Sequence, residues 1–199
     1  MMHGARLQRA IDMDWVPTRE QVERGLSDAD KLVRLAWINR TDFSPTPKQV
    51  ETGLTDWDWA IRRAWVLRTD FEITHEQVEM GLNDEDHDVR CAFAERMDWT
   101  PTHEQASVGI NDENSGIRAA WARRGDWTPT PEQVERGLAD VSAIVRVEWV
   151  KRTDFTMTQE QIEKGFNDPV SAVRDAWMNK LKEEQDRFLE DGMDLEMSL

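Results

Sequence analysis

Apolar residues recur in a fixed order every 28 residues, and the order repeats six times without insertion or deletion. In repeat one, Trp15 and Leu26 precede three apolar residues with the i, i+3, i+4 spacing of a buried helix face: Val33, Ala36 and Trp37. A fixed period of this length is typical of a solenoid, in which each repeat contacts its neighbours. The six repeats are 13–40, 41–68, 69–96, 97–124, 125–152 and 153–180.

The first half of each repeat predicts a short helix, called helix A below. Thr18 and Gln21 form a Thr-x-x-Gln capping box, which satisfies two backbone donors where a helix begins. Gly25 is expected to end helix A in a left-handed conformation, which glycine adopts at little cost. About seven residues remain, so we expect at most two turns, partly 3₁₀. Equivalent residues recur in every repeat.

The second half predicts a longer helix B of about twelve residues. Asp28 and its equivalents are the expected N-caps, and Asp168-Pro169 supports this start because proline is favoured at the first helical position. Arg40 and its equivalents are expected at the C-terminal end, where a cation suits the helix dipole. The aromatic rows beginning at Trp15 and Trp37 follow the other apolar positions. We therefore interpret them as core, rather than as a stacking surface for bases or sugars.

These elements predict an all-α fold. It is a right-handed α-solenoid of six 28-residue repeats, each with a short α or 3₁₀ helix followed by an α-helix, and with capping helices at both ends. Residues 1–12 match the second half of a repeat and predict an N-terminal capping half-repeat. Residues 13–180 form the solenoid. Residues 181–199 predict a C-terminal capping helix extension to about Glu190, followed by a frayed acidic tail.

The order of residues also resembles known repeat families. Asp28 and Arg34 stand six residues apart and recur in all repeats, as in HEAT-like α-solenoids. The segment VRLAWINRTDFSPTPKQVETGL (33–54) more closely resembles the leucine-rich-repeat variant family. The resemblance covers residues 1–180 and implies the fold, whereas such arrays serve as platforms of many kinds. Some family members carry an N-terminal cysteine cluster for an iron–sulfur centre, whereas this chain has one cysteine, Cys91.

The recurring arginines have two interpretations. They could form a charged track for an acidic ligand, or an Asp–Arg ladder that links successive repeats. We favour the ladder, because each arginine has an invariant aspartate in its own repeat and another in the loop after its helix. The ladder residues are Asp28, Arg34, Asp56, Arg62, Asp84, Arg90, Asp112, Arg118, Asp140, Arg146, Asp168 and Arg174.

The charge of the chain narrows the possible partners. The formal net charge is −15 over 199 residues, spread along the repeats and concentrated in residues 181–199, which carry −5. This sign repels nucleic-acid phosphates and anionic lipid, so we expect neither nucleic acid nor membrane as a direct partner. A protein partner suits this charge better, and a basic one suits it best. DNA-reading HEAT-like proteins present basic faces, which this sequence does not predict.

Signs of catalysis or metal binding are weak. No glycine-rich phosphate loop or hydrolase signature occurs, so we expect no catalytic residues and no cofactor. His75 and His103 occupy equivalent positions one repeat apart, too far to share one zinc ion. His87 and Cys91 have i, i+4 spacing but lack a third ligand. We therefore expect no metal.

Specificity is expected where residues vary between repeats, on helix B of repeats one to three. Trp57 and Trp59 match neither aromatic row and resemble an interface hot spot, although Trp57 could instead pack on the neighbouring helix B. The candidate partner-binding residues are Trp57, Trp59, Asp30, Asp58, Asp86 and Arg63.

The functional hypothesis is a non-catalytic protein-interaction scaffold, monomeric and cytoplasmic. The first alternative is an acidic nucleic-acid mimic that inhibits a DNA-binding protein, of the phage anti-defence type. The second is a HEAT-like nucleic-acid enzyme, which the negative charge disfavours. The lone cysteine, with no N-terminal apolar stretch, favours a reducing compartment.

Overall fold

The computed structural model describes the backbone of residues 3–197 and the side chains of residues 4–187. This part of the chain contains α-helices and no strand, which confirms the predicted all-α repeat fold, while its handedness stays a prediction. The chain divides into two compact units, Met1–Thr100 and Pro101–Leu199. The helices are α1 (His3–Ile11), α2 (Arg19–Leu26), α3 (Lys31–Ile38), α4 (Pro47–Leu54), α5 (Trp59–Val66), α6 (His75–Leu82), α7 (His87–Glu95), α8 (His103–Gly109), α9 (Ser115–Arg123), α10 (Pro131–Leu138), α11 (Ala143–Lys151), α12 (Gln159–Phe166) and α13 (Ser171–Met197).

Helix A begins at the predicted capping box in all six repeats. In α2, the Thr18 side chain accepts from the Gln21 backbone N–H, and the Gln21 side chain accepts from the Thr18 N–H at 2.8 Å. The same pair of hydrogen bonds starts α4, α6, α8, α10 and α12. Each of these helices is α-helical over seven or eight residues, so the predicted 3₁₀ component is not seen in them.

The role predicted for the recurring glycine is wrong. Gly25 lies inside α2, and no described glycine has a positive φ. A Cβ on Gly25 would lie 2.2 Å from the Trp37 ring, and one on Gly53 would lie 2.0 Å from Trp65 Nε1. Glycine is therefore required because the aromatic ring of helix B lies directly against the backbone of helix A.

Helix B begins two residues later than predicted and is shorter. The N-cap of α3 is Asp30, whereas Asp28 accepts the Asp30 N–H at 2.9 Å and forms the turn before the helix. The helix then has eight residues instead of about twelve. Pro169 likewise precedes the first residue of α13, Ser171, by two positions. Because Asp28 forms the turn, the N-cap is the residue two positions later, Asp30.

Packing follows the repeat within each unit. Each helix A packs on helix B of its own repeat. Successive B helices also pack together, as α1, α3, α5 and α7 in the first unit and as α9, α11 and α13 in the second. Their aromatic side chains are buried, which confirms the interpretation of this row as core: Trp37, Trp65, Phe93, Trp121, Trp149 and Trp177. In the leucine row, Phe166 differs because it is exposed.

The last helix is longer than predicted. It runs to Met197, seven residues beyond Glu190, where the sequence indicated its end. Residues 191–197 contain no proline and only one glycine, so no strong helix breaker stops it. The final two residues of the predicted tail lie outside the described residues.

Candidate functional site

The two unmatched tryptophans stand at the start of α5. Trp57 directly precedes the N-cap, and Trp59 is the first residue of the helix. Their side chains are 75% and 43% exposed. Trp57 therefore does not pack into the core, and its contact with the preceding repeat is the Arg34 guanidinium, 5.3 Å from the ring centroid. Leu32, in the first turn of α3, is a further exposed apolar residue of this unit.

The candidate carboxylates near this pair act as helix caps. Asp30, Asp58 and Asp86 accept the backbone N–H two residues further on, at 2.9 to 3.0 Å. Asp58 is buried and also accepts from Lys31 Nζ at 3.2 Å. Burial opposes the ionised form of Asp58, but the hydrogen bonds from Lys31 and from the Ala60 N–H outweigh it, so the pKa is lowered. Asp58 offers little surface to a partner.

Exposed charges of both signs lie on the same helix and in the next loop. Arg63 is exposed on α5. Glu85, in the loop before α7, is largely exposed, with Oε1 3.5 Å from Arg62 Nη2. The tryptophan pair is therefore an apolar surface beside charged groups, which is the composition of many protein interfaces.

The structure brings arginines and aspartates of successive repeats together. Arg62 donates to both oxygens of Asp84 in the next repeat, at 2.7 Å each, and to the carbonyl of Asp56 in its own. Asp84 also accepts the Asp86 N–H and so shapes the turn before α7. The carboxylate partner is 22 residues ahead, not the loop aspartate proposed from the sequence. Within the two units the pairs are Arg6–Asp28, Arg34–Asp56, Arg62–Asp84, Arg118–Asp140 and Arg146–Asp168.

The same backbone contact is made by two more arginines of this row. Arg90 and Arg174 donate to the carbonyls of Asp84 and Asp168, at 2.8 and 2.7 Å. The hydrogen bond from Arg146 holds the pKa of Asp168 below its ordinary range, and the hydrogen bonds that Arg62 donates to Asp84 raise the pKa of Arg62. Both shifts favour the ionised forms of Asp168 and Arg62, so these contacts are electrostatic and not suited to proton transfer.

A second row of cations, beginning at Arg40, makes contacts that sequence reasoning missed. Arg40 is buried, pairs with Asp42 and donates to three carbonyls of the preceding segment, those of Ala10, Asp12 and Trp15. The same contacts recur at Arg68, Arg96 and Arg152. The Arg-x-Asp spacing, which recurs at the end of five repeats, was the available signal, but it does not reveal carbonyl partners in another repeat.

Nothing among the described residues forms a metal site. No group of three or more histidine, cysteine, aspartate or glutamate side chains there could hold an ion. His75 lies beside Glu79 and His87 beside Asp88, each at 3.6 Å. Burial, with Glu95 and Asp88 nearby, raises the pKa of the Cys91 thiol and disfavours the thiolate that a metal would need.

Comparison with known proteins identifies a fold. One solved structure, described as a leucine-rich repeat variant with a novel repetitive protein structural motif, aligns with a TM-score of 0.63 at 22% identity. The alignment covers 88% of this chain and 64% of that one, so this chain spans less than two thirds of its length. The predicted resemblance in fold is confirmed. The sequence matches no family model, and the search of curated proteins finds no match.

Within the described residues, the helices are too short or too polar to cross a bilayer.

Proposed function

We propose that this protein is a non-catalytic interaction scaffold that presents an acidic solenoid surface to a basic protein partner. The observation that carries the proposal is the exposure of both Trp57 and Trp59 at the start of one helix. Exposed tryptophans are costly in water and are the residues most enriched at interface hot spots. The net charge of −15 favours a partner of opposite sign.

The two alternatives fit the surface less well. A nucleic-acid mimic needs rows of carboxylates without neighbouring cations. Here Glu23 lies 3.5 Å from Arg19 and Glu160 lies 2.9 Å from Lys164, so the carboxylates of helix A are interrupted by positive charge. A nucleic-acid enzyme needs a cationic track, yet several arginines of the row beginning at Arg34 are paired with aspartates. Tight DNA binding near physiological salt would contradict this assignment.

Affinity capture with matched variants tests the proposal. The test variant is Trp57→Ala with Trp59→Ala. The control is Val141→Ala, because Val141 occupies the position of Trp57 in repeat five and is 94% exposed. We expect wild type and control to capture the same protein from native lysate, and the double variant to lose it. Equal capture by all three forms would overturn the role of the tryptophans.

We also place the protein in the cytoplasm, without a cofactor. The single free cysteine, Cys91, favours a reducing compartment, since disulfides form and persist in oxidising ones. Cell fractionation checks this assignment, and recovery from an oxidising compartment would contradict it.

A further inference from the structure

A basic groove lies at the N-terminal end of the first unit. Its volume is about 300 Å³, and its lining includes Arg6 and Arg9 of α1 and Gln21, Arg24 and Trp37 of repeat one. Arg6 is paired with Asp28, the one acidic residue of the lining, whereas Arg24 is exposed. Such a concentration of arginine is unusual in a chain of net charge −15.

Grooves at the equivalent positions of other repeats have one additional wall. Beside Trp65, Trp149 and Trp177 the groove is also lined by the preceding helix A, which contributes Leu26, Ile110 and Leu138, respectively. Within residues 3–197 no helix A precedes α1. The described N-terminal groove therefore shares lining positions with the interior grooves but has no wall from a preceding helix A.

Interior repeats show which side chains a preceding helix A contributes to the groove. Gln161 Nε2 donates to Glu135 Oε1 of the preceding helix A at 3.0 Å, and Leu138 lines the same groove. Gln133 Nε2 donates in the same way to Ser107 Oγ at 2.9 Å. Among the described residues nothing accepts from Gln21 Nε2, the equivalent donor at the N-terminal end. Because Glu135 and Leu138 are three residues apart, a helix that fits the N-terminal groove should have an acidic residue followed three positions later by an apolar one.

The C-terminal part of this chain has that composition. Residues 181–197 continue α13, and residues 181–199 carry a net charge of −5. The sequence of residues 181–197 contains the acidic–apolar spacing three times, as Asp186 with Leu189, Glu190 with Met193 and Asp194 with Met197, matching Glu135 with Leu138. We propose that residues 181–197 of a second copy bind in the N-terminal groove. This contact is heterologous and joins copies head to tail, in place of the monomer expected from the sequence.

Light scattering of the full chain tests the association. Measurements at 0.15 M salt limit the repulsion between two acidic copies, because the Debye length is then about 8 Å. We expect the mass to rise above 23.2 kDa with concentration for wild type. Arg24→Glu should keep the chain monomeric. The control is Arg136→Glu, at the same repeat position in an interior repeat, and it should behave as wild type.

A labelled peptide of residues 181–199 tests the occupant directly. Its affinity for full-length Arg24→Glu should be about tenfold lower than for wild type and Arg136→Glu, because an acidic ligand then meets a like charge. Circular dichroism establishes that both variants fold. A monomer at every concentration, absence of peptide binding, or equal losses in the two variants would each overturn the proposal.

Discussion

One glycine and one aromatic ring set how closely the two helices of a repeat approach. At Gly53 the ring of Trp65 occupies the space that any side chain would need. A helical glycine normally costs about 0.5–1 kcal/mol relative to alanine. Its recurrence in all six repeats indicates that the close contact outweighs this cost.

Gly53→Ala should therefore destabilise the protein. Overpacking in a core costs about 1–3 kcal/mol, which exceeds the gain in helix propensity. The control is Gly125→Ala, since a Cβ on Gly125 meets no atom within 4 Å and its stability change should stay within about 0.5 kcal/mol. Urea unfolding measures both changes. A Gly53→Ala protein as stable as wild type would show that the helices can separate freely.

Arg118→Met should lower the free energy of unfolding by about 1–3 kcal/mol, because the Asp140 carboxylate loses two hydrogen bonds of 2.7 and 2.8 Å. Arg136→Met serves as the exposed control and should have little effect. Adding Asp140→Asn keeps an acceptor for the Ser142 N–H but removes the unpaired charge. The double variant should then lose less than the sum of the single losses, whereas additive losses would contradict the pairing.

At the level of the helices, the sequence predicted what is local and missed what is not. Thr18 and Gln21 are three residues apart, so their capping box is readable from one repeat. Asp28 and Asp30 are both good caps, and only the observed turn shows that the second one starts α3. The carbonyl partners of Arg40 are 25 to 30 residues away, which requires the register between repeats.

The arginine after helix B binds carbonyls of the preceding segment at Arg40, Arg68, Arg96 and Arg152, so the loss of one of them should be more damaging than that of Arg118. Arg152 is buried, pairs with Asp154 and donates to three carbonyls. Arg152→Met should cost about 3–5 kcal/mol, since it leaves the carbonyls of Ala122, Arg124 and Trp127 without the donor that they share. Arg152→Lys should cost less, because Lys180 at the equivalent position reaches the Arg152 carbonyl. Urea unfolding measures the free energy of unfolding of each variant. Equal losses for Arg152→Met and Arg152→Lys would contradict the expectation that a cation is needed at this position.

Acid should unfold the whole molecule through its aspartates. Hydrogen bonds from Arg40, Arg68 and Arg146 lower the pKa of Asp42, Asp70 and Asp168 below the ordinary value of 3.8. Their stabilisation is therefore complete above that value and is lost as the pH falls through the lower pKa of the folded state. The melting temperature should stay high near pH 5 and fall steeply below about pH 4. A melting temperature that does not change between pH 5 and about pH 3 would contradict the stabilising role of these ion pairs.

The candidate site was only partly readable from the sequence. Trp57 and Trp59 stood out because they broke the repeat pattern, and the structure exposes both. Asp58 was selected because its position varies among the six repeats, yet it is buried because a cap and an ion pair with Lys31 hold it against α5. Variation between repeats therefore identifies positions free of the shared core, but it does not distinguish an exposed residue from a locally adapted cap.

The salt dependence of partner binding distinguishes the two main functions of an acidic array. A nucleic-acid mimic binds through many charge pairs, which added salt screens once the Debye length falls from about 10 Å at 0.1 M to about 3 Å at 1 M. An interface anchored by Trp57 and Trp59 loses only its long-range steering, because buried apolar area is not screened. We therefore expect the partner's dissociation rate to change little between these salt concentrations, while its association rate falls. Surface plasmon resonance separates the two rates, and a steep rise in the dissociation rate would favour the mimic.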